Sequence, residues 1–298
     1  MKSLNISRQQ VGVALTVLSA FAFASKTILA KMAFLYGVDA ITVLALRMGF
    51  AGIFFAAILI YNLVRGRWSL RLPPGQWPRI VLLGVFGYYV SAFLDFSGLV
   101  YIDASLGRMI LFLYPTLVVV INSFLKRQTI RLSTWLALGL CYGGIFLMLV
   151  PNLGGEQPNI WLGSALVFAA ALVYAFYLVG VDRLLTAIEP ALFTSLVMCV
   201  SCLSVIIHYL LTKNLADLAV PAPVLLNGLV MGIFATVMPI YALTAGIARI
   251  GASKSAMVSM VGPALTLVMG VMLLDERLLA VQLAGMLLVM AGVWRVGK

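Results

Sequence analysis

Two stretches of this chain read nearly alike: Ile102–Leu117 is IDASLGRMILFLYPTL, and Ile250–Leu265 is IGASKSAMVSMVGPAL. At a spacing of 148 residues, Ala104, Ser105, Met109, Pro115 and Leu117 meet Ala252, Ser253, Met257, Pro263 and Leu265. The same spacing pairs Gly84 with Gly232, Phe86 with Phe234, Gly98 with Gly246 and Gly144 with Gly292. A slightly different one pairs Gly12, Ala14 and Leu15 with Gly163, Ala165 and Leu166. Apolar segments match by chance, so one coincidence carries little. A proline inside an apolar run, in register with Met, Ser and flanking glycines, carries more, and marks an internal repeat.

The 298 residues around these stretches are 63% hydrophobic and 10% charged, with a mean hydropathy of +1.13. A soluble domain carries about 45–50% apolar and about 25% charged residues. The solvent for most of this chain is therefore lipid. A spanning helix needs roughly 20 apolar residues. Ten segments qualify, near 11–36, 40–63, 79–101, 104–125, 132–150, 160–181, 190–211, 224–247, 253–274 and 279–296. The reading is an all-α membrane protein of two five-helix units, 1–152 and 153–298. Five is odd, so the second unit enters the membrane upside down. Inverted repeats of this kind place a solute site near the midplane between the copies.

The net charge of +11 tests the threading. With the N-terminus inside, the inner face collects Lys2, Arg8, Arg65, Arg67, Arg71, Arg79, Lys126, Arg127, Arg131, Arg183, Arg249, Lys254, Arg295 and Lys298; the outer face keeps Lys31, Arg108, Lys213 and Arg277. That is the positive-inside pattern, with both termini cytoplasmic in a cell's inner membrane. It also removes the nucleic-acid partner that a basic soluble chain would suggest. Trp68, Trp77, Trp161 and Trp294 suit interfacial anchors. Ala20-Phe21-Ala22 could end a cleaved leader, but the apolar run continues past it and the repeat needs this span. Cys199 and Cys202 form C-x-x-C on an apolar segment without a second pair, so packing is expected rather than metal or redox chemistry.

These residues resemble the EamA-type family of the drug/metabolite transporter superfamily. The second half carries Leu274-Asp275-Glu276-Arg277-Leu278, then Gln282, Gly285 and Gly292; the first carries Lys31, Leu46-Arg47, and Ala104-Ser105 leading to Pro115. The likeness covers nearly the whole chain. Gln128 departs from it, standing where the repeat would match Glu276. The resemblance implies ten helices, two inverted repeats and export or exchange of small metabolites. Among members, the chain looks most like bacterial exporters of aromatic amino acids.

Ionisable residues inside a membrane are costly and mark pathways. Lys26 lies about 22 Å along its span, Asp95 about 24 Å along its own, and Arg47 about 10 Å from its outer end, so all three share one depth. They can form a charged cluster for a carboxylate. They can equally snorkel or neutralise one another, and for Arg47 the structural role is the expectation. Their repeat counterparts, such as Tyr177 and Leu243, are uncharged. Tyr88 and Ser91 share a face with Asp95. With Tyr114, Tyr174, Tyr177, Thr236 and Ser259 they make a candidate lining for an amphipathic solute, or hydrogen bonds between helices. Pro115, Pro239 and Pro263 free the carbonyls of Leu111, Ala235 and Ser259, as hinges, cavity walls or packing kinks. His208, near an outer end, reads as packed or interfacial.

The function expected is alternating-access export of amino acids or related metabolites. The partners are a small solute and the bilayer, the expected state is a monomer, and no cofactor or metal is foreseen. Another metabolite class (drug, sugar or nucleotide derivative) is the nearest alternative. A membrane enzyme would need His/Asp/Glu clusters, and a channel would need charged rings or filter loops. If protons couple transport, Asp95 is the deep carboxylate placed to do it.

Overall fold

The computed structural model describes residues 7–102, 104–149, 159–265 and 279–297. The side chains of Lys31, Ser105 and Arg108 lie outside the described residues, as does the whole Leu274–Leu278 stretch. Every regular element among the described residues is helical: α1 (Arg8–Phe34), α2 (Ala40–Val64), α3 (Gln76–Tyr101), α4 (Ala104–Leu111), α5 (Tyr114–Lys126), α6 (Leu132–Leu149), α7 (Ile160–Leu184), α8 (Pro190–Thr212), α9 (Ala222–Ile250), α10 (Ala252–Val258) and α11 (Ala280–Gly297). A short 3₁₀ turn, Leu215–Leu218, precedes α9, and another, Ser259–Val261, extends α10.

Local chemistry sets several of the boundaries. Asp39 starts α2 by accepting hydrogen bonds from the amides of Ile41 and Thr42 at 3.2 Å and the Thr42 hydroxyl at 2.9 Å. Pro190 opens α8 at a position where its missing N–H costs nothing. Gly251, at φ +80°, lets the chain turn from α9 into α10.

Among the described residues, five helices, α2, α3, α7, α8 and α9, are long and apolar enough to cross a membrane. Their outward faces carry Ile53, Phe54, Phe86, Phe168, Phe176 and Leu203, all exposed, which suits lipid rather than water.

Glycines set how closely the helices approach. Gly98 of α3 faces Gly163 and Val167 of α7, and Gly12 of α1 faces Gly246 and Ile250 of α9. Gly144 of α6 faces Gly285 and Val289 of α11, while Gly292 of α11 faces Ala137 and Cys141 of α6. These are the glycines that the repeat spacing pairs, and each contact occurs twice, once from each half. Small residues allow backbones to come close, the main source of helix association where lipid removes the hydrophobic drive.

The predicted span 104–125 is broken at Phe112-Leu113, so α4 and α5 meet at a joint just before Pro115. At this joint the Phe112 carbonyl accepts a hydrogen bond from the Tyr142 hydroxyl of α6 at 3.2 Å. Pro239 follows a π-helical segment, Ile233–Val237, whose wider turn accommodates it. A matching π segment, Leu83–Val90, lies in α3 without any proline. Pro263 stands just after the Ser259–Val261 turn.

Candidate functional site

A cavity lies between α1, α2, α3, the α4–α5 joint, α7, α9 and α10, so both halves wall it. It offers about 120 Å³ to the centre of a water-sized sphere. Since a water needs about 10–15 Å³ on that measure, the space holds on the order of ten waters, or a solute of similar bulk. Seven of the predicted lining residues meet here: Lys26, Tyr88, Ser91, Asp95, Tyr114, Tyr174 and Ser259.

The charged end is compact. Lys26 Nζ and Asp95 Oδ2 are 2.6 Å apart, with side chains 15% and 6% exposed. Lys26 also lies 5.7 Å from the centroid of the Phe96 ring. Ser91 donates to the Ala170 carbonyl of α7 at 3.0 Å, tying α3 across the interface.

Arg47, expected to be structural, is part of the cavity wall. It is 1% exposed, so it does not snorkel to the surface. Its Nε donates to Thr236 Oγ1 at 2.7 Å, its Nη2 to the Tyr88 hydroxyl at 3.0 Å, and Phe96 lies 5.5 Å below its Cζ. Tyr88 and Thr236 are 148 residues apart, the spacing that also pairs the glycines, and they sit on the two π segments. Thr236 also donates to the Met231 carbonyl five residues back at 2.8 Å, a spacing the π turn creates.

Aromatic rings form another part of the wall. Tyr114 and Tyr174 meet edge to face at 5.2 Å, and Phe112 lies 6.1 Å from Tyr114. Phe23, Leu111 and Leu243 complete the apolar wall. Two predicted lining residues stand one layer back. Tyr177, 3% exposed, stacks on Tyr174 at 5.8 Å and meets Tyr88 at 5.7 Å, bracing both rings. Thr236 is fully buried and reaches the cavity only through Arg47. Pro115, Pro239 and Pro263 are buried behind the wall, but residues beside two of them, Tyr114 and Gly262, line it.

Outside the cavity, Tyr89 hydrogen-bonds His208 at 2.7 Å and Phe93 packs on its ring, as a packed histidine should. Cys141 and Cys202 are buried free thiols and Cys199 a half-buried one. A second, more open cavity of about 480 Å³ lies at one end of the bundle, with Lys126, Arg131, Lys254 and Arg295 on its walls.

Sequence reasoning offered Arg47 both as part of the charged cluster and as a structural residue and favoured the second; its bond to Thr236 and the Phe112 joint were not foreseen. The signal for that bond was present: Tyr88 and Thr236, both candidates, share the 148-residue spacing.

Comparison with known proteins agrees with this architecture. A crystal structure of a protein superposes with a TM-score of 0.76 at 18% identity, covering 95% of both chains, and so shares the fold. Among curated relatives, the uncharacterized transporter YcbK of Bacillus subtilis is 29% identical over 295 residues, covering 94% of this chain and 90% of its own. The uncharacterized transporter sll1319 of Synechocystis is 30% identical over 211 residues, covering 69% of this chain and 61% of its own. An uncharacterized transporter of Archaeoglobus fulgidus is 26% identical over 254 residues, covering 85% of this chain and 87% of its own. The profile of the EamA-like transporter family matches residues 10–150 and again 161–297, so this integral membrane protein belongs to the EamA-like transporter family.

Proposed function

We propose that this transporter is a secondary carrier that exports amino acids or related small metabolites by alternating access through the cavity. Ten spans form two inverted five-helix repeats, 1–152 and 153–298, with both termini on the cytoplasmic side of the inner membrane. The observation that carries the reading is a cavity walled by both halves, with the Lys26–Asp95 pair and a group of tyrosines on the same wall. Such a lining complements a solute with a charged head and an apolar or aromatic body. The duplicated glycine contacts support the repeat. The basic wall of the second cavity supports a cytoplasmic position for that end. The buried prolines beside the cavity are the hinges about which the halves rock.

Purified protein in liposomes tests this directly. Saturable, counterflow-competent flux of an amino acid or related metabolite is expected, and Asp95→Asn or Lys26→Ala should abolish it. Unsaturable flux would point to a channel. Wild-type-like flux in both variants would remove the charged pair from the pathway. Robust export of a cationic dye would contradict the sign of the site.

A further inference from the structure

We infer that Arg47 forms a carboxylate subsite, so that the cavity selects solutes with a single uncompensated negative charge. This rests on the carrier reading and narrows its substrate class.

Two observations carry it. First, Arg47 is a cavity-wall residue buried to 1% exposure, yet its Nη1 finds no hydrogen-bond partner among the described residues. A buried guanidinium donor left unmatched is costly, and a planar carboxylate is the group whose geometry suits it. Second, the charges of the described wall do not cancel. Lys26 and Asp95 neutralise one another at 2.6 Å, and Arg47 adds one positive charge to the same cavity. The Arg47 partners, Tyr88, Thr236 and the Phe96 ring, are all neutral. Burying that charge without a counter-ion is unfavourable, so a bound anion restores balance.

The bonds that hold Arg47 show what an anion on it would bear on. Tyr88 and Thr236 hold the guanidinium from equivalent positions in the two halves, on the two π segments. A carboxylate on Nη1 therefore bears on a hydrogen-bonded junction between the halves. The remainder of the solute extends toward Tyr114, Tyr174 and Phe112. Asp95 is already engaged by Lys26, so a solute ammonium gains less here than a solute carboxylate.

Three probes with the same benzyl side chain test the proposal: N-acetyl-L-phenylalanine (anion), L-phenylalanine (zwitterion) and L-phenylalaninamide (cation). Binding to the intact protein in nanodiscs is measured by isothermal titration, and flux is measured in liposomes. The expected order is anion, then zwitterion, then cation, with the anion at least about tenfold tighter than the amide, as one charge-assisted hydrogen bond gives. Arg47→Gln should remove that preference. Thr236→Val, which keeps the guanidinium but frees its Nε, should weaken the anion about threefold or more and leave the amide unchanged. Equal binding of anion and amide, or no binding of the anion, overturns the subsite, and the comparison on unaltered protein needs no variant to fold. Saturable flux without charge preference leaves the carrier reading standing and removes the subsite. Charge-selective binding without flux does the reverse.

Discussion

Replacing Gly98 by alanine should weaken the bundle far more than replacing Gly139, although both change one hydrogen for a methyl group on an apolar helix. A Cβ on Gly98 would lie 2.6 Å from Val167 Cγ2, 2.9 Å from the Gly163 carbonyl oxygen and 3.2 Å from the Val167 amide nitrogen. The valine methyl can rotate, but the two backbone atoms cannot. Restoring ordinary contact parts α3 from α7 by about half an ångström, which forfeits roughly a quarter of the dispersion energy of each contact along the seam. Overpacking of this kind costs about 1–3 kcal/mol. At Gly139, a Cβ meets nothing within 4 Å. Both variants gain the same helix-propensity term, about 1 kcal/mol. That term cancels in the difference, leaving about 1–3 kcal/mol between them. Reversible unfolding in mixed micelles, titrated with dodecyl sulfate and followed by tryptophan fluorescence, measures it. Gly246→Ala, which crowds Gly12 and Thr16 at the repeat-related contact, should cost about as much as Gly98→Ala. Gly98→Ala and Gly139→Ala variants equal within about 0.5 kcal/mol would refute the close approach of α3 and α7.

Asp95→Asn leaves Lys26 buried without its carboxylate and should cost up to about 3 kcal/mol, whereas Lys26→Met with Asp95→Leu should recover stability without recovering flux; the same unfolding titration separates the two. Tyr142→Phe removes the donor to the Phe112 carbonyl and the hydroxyl bonded to Thr116, and should cost about 1–2 kcal/mol and loosen the α4–α5 joint, visible as faster hydrogen exchange there. The Asp39–Lys213 pair, 3.1 Å apart beyond the spans, should make stability depend on pH. Burial raises the Asp39 carboxyl, but hydrogen bonds from Lys213 and Thr42 outweigh it and hold the group below its ordinary 3.8, so its contribution is present above about pH 4 and lost as pH falls through the lower folded value. Lys213 is raised above 10.5 by its hydrogen bond to Asp39 and the attraction of that carboxylate, so its contribution is present below 10.5 and lost as pH rises through the higher folded value. The contribution of this pair should therefore be flat between these limits, and Asp39→Asn should remove the acid-side fall in melting midpoint that the pair causes.

The 148-residue spacing was legible because packing is written in glycines. Gly98 with Gly246, and Gly144 with Gly292, share a spacing in sequence, and each then fills the same kind of close contact in the bundle. The wall residues Tyr88, Ser91 and Asp95 were legible because helical spacing puts them on one face. What could not be read was anything that depends on a change of helical pitch. Leu83–Val90 widens to a π turn with no proline to announce it. The wider turn lets Tyr88 join Thr236 on one guanidinium. The break at Phe112-Leu113 lies just ahead of the residue that marked it, because Pro115 can begin a helix as well as interrupt one. Depth along a helix gave Lys26, Asp95 and Arg47 a common level but not their partners. Two cations competed for one carboxylate, and only side-chain placement decides that Lys26 takes it.

Close glycine contacts therefore come in pairs at the 148-residue spacing, and the cavity's charges do not. Tyr88 and Thr236 occupy equivalent positions and do the same task, binding Arg47. Asp95 and Leu243, separated by the same 148 residues, both line the cavity, yet one is charged and the other apolar. Lys26, Arg47 and Asp95 all belong to the first half, so a second-half counterpart cannot replace any of them. Duplicated glycine contacts tolerate the loss of one copy at a cost of a few kcal/mol, because the remaining seams still hold the helices. An unduplicated ion pair has no such reserve. Substitutions in the seams should thus lower stability and leave the solute preference unchanged, while substitutions among Lys26, Arg47 and Asp95 should change what the cavity accepts even where they also cost stability, and a screen of the two sets for solute preference should separate along that line.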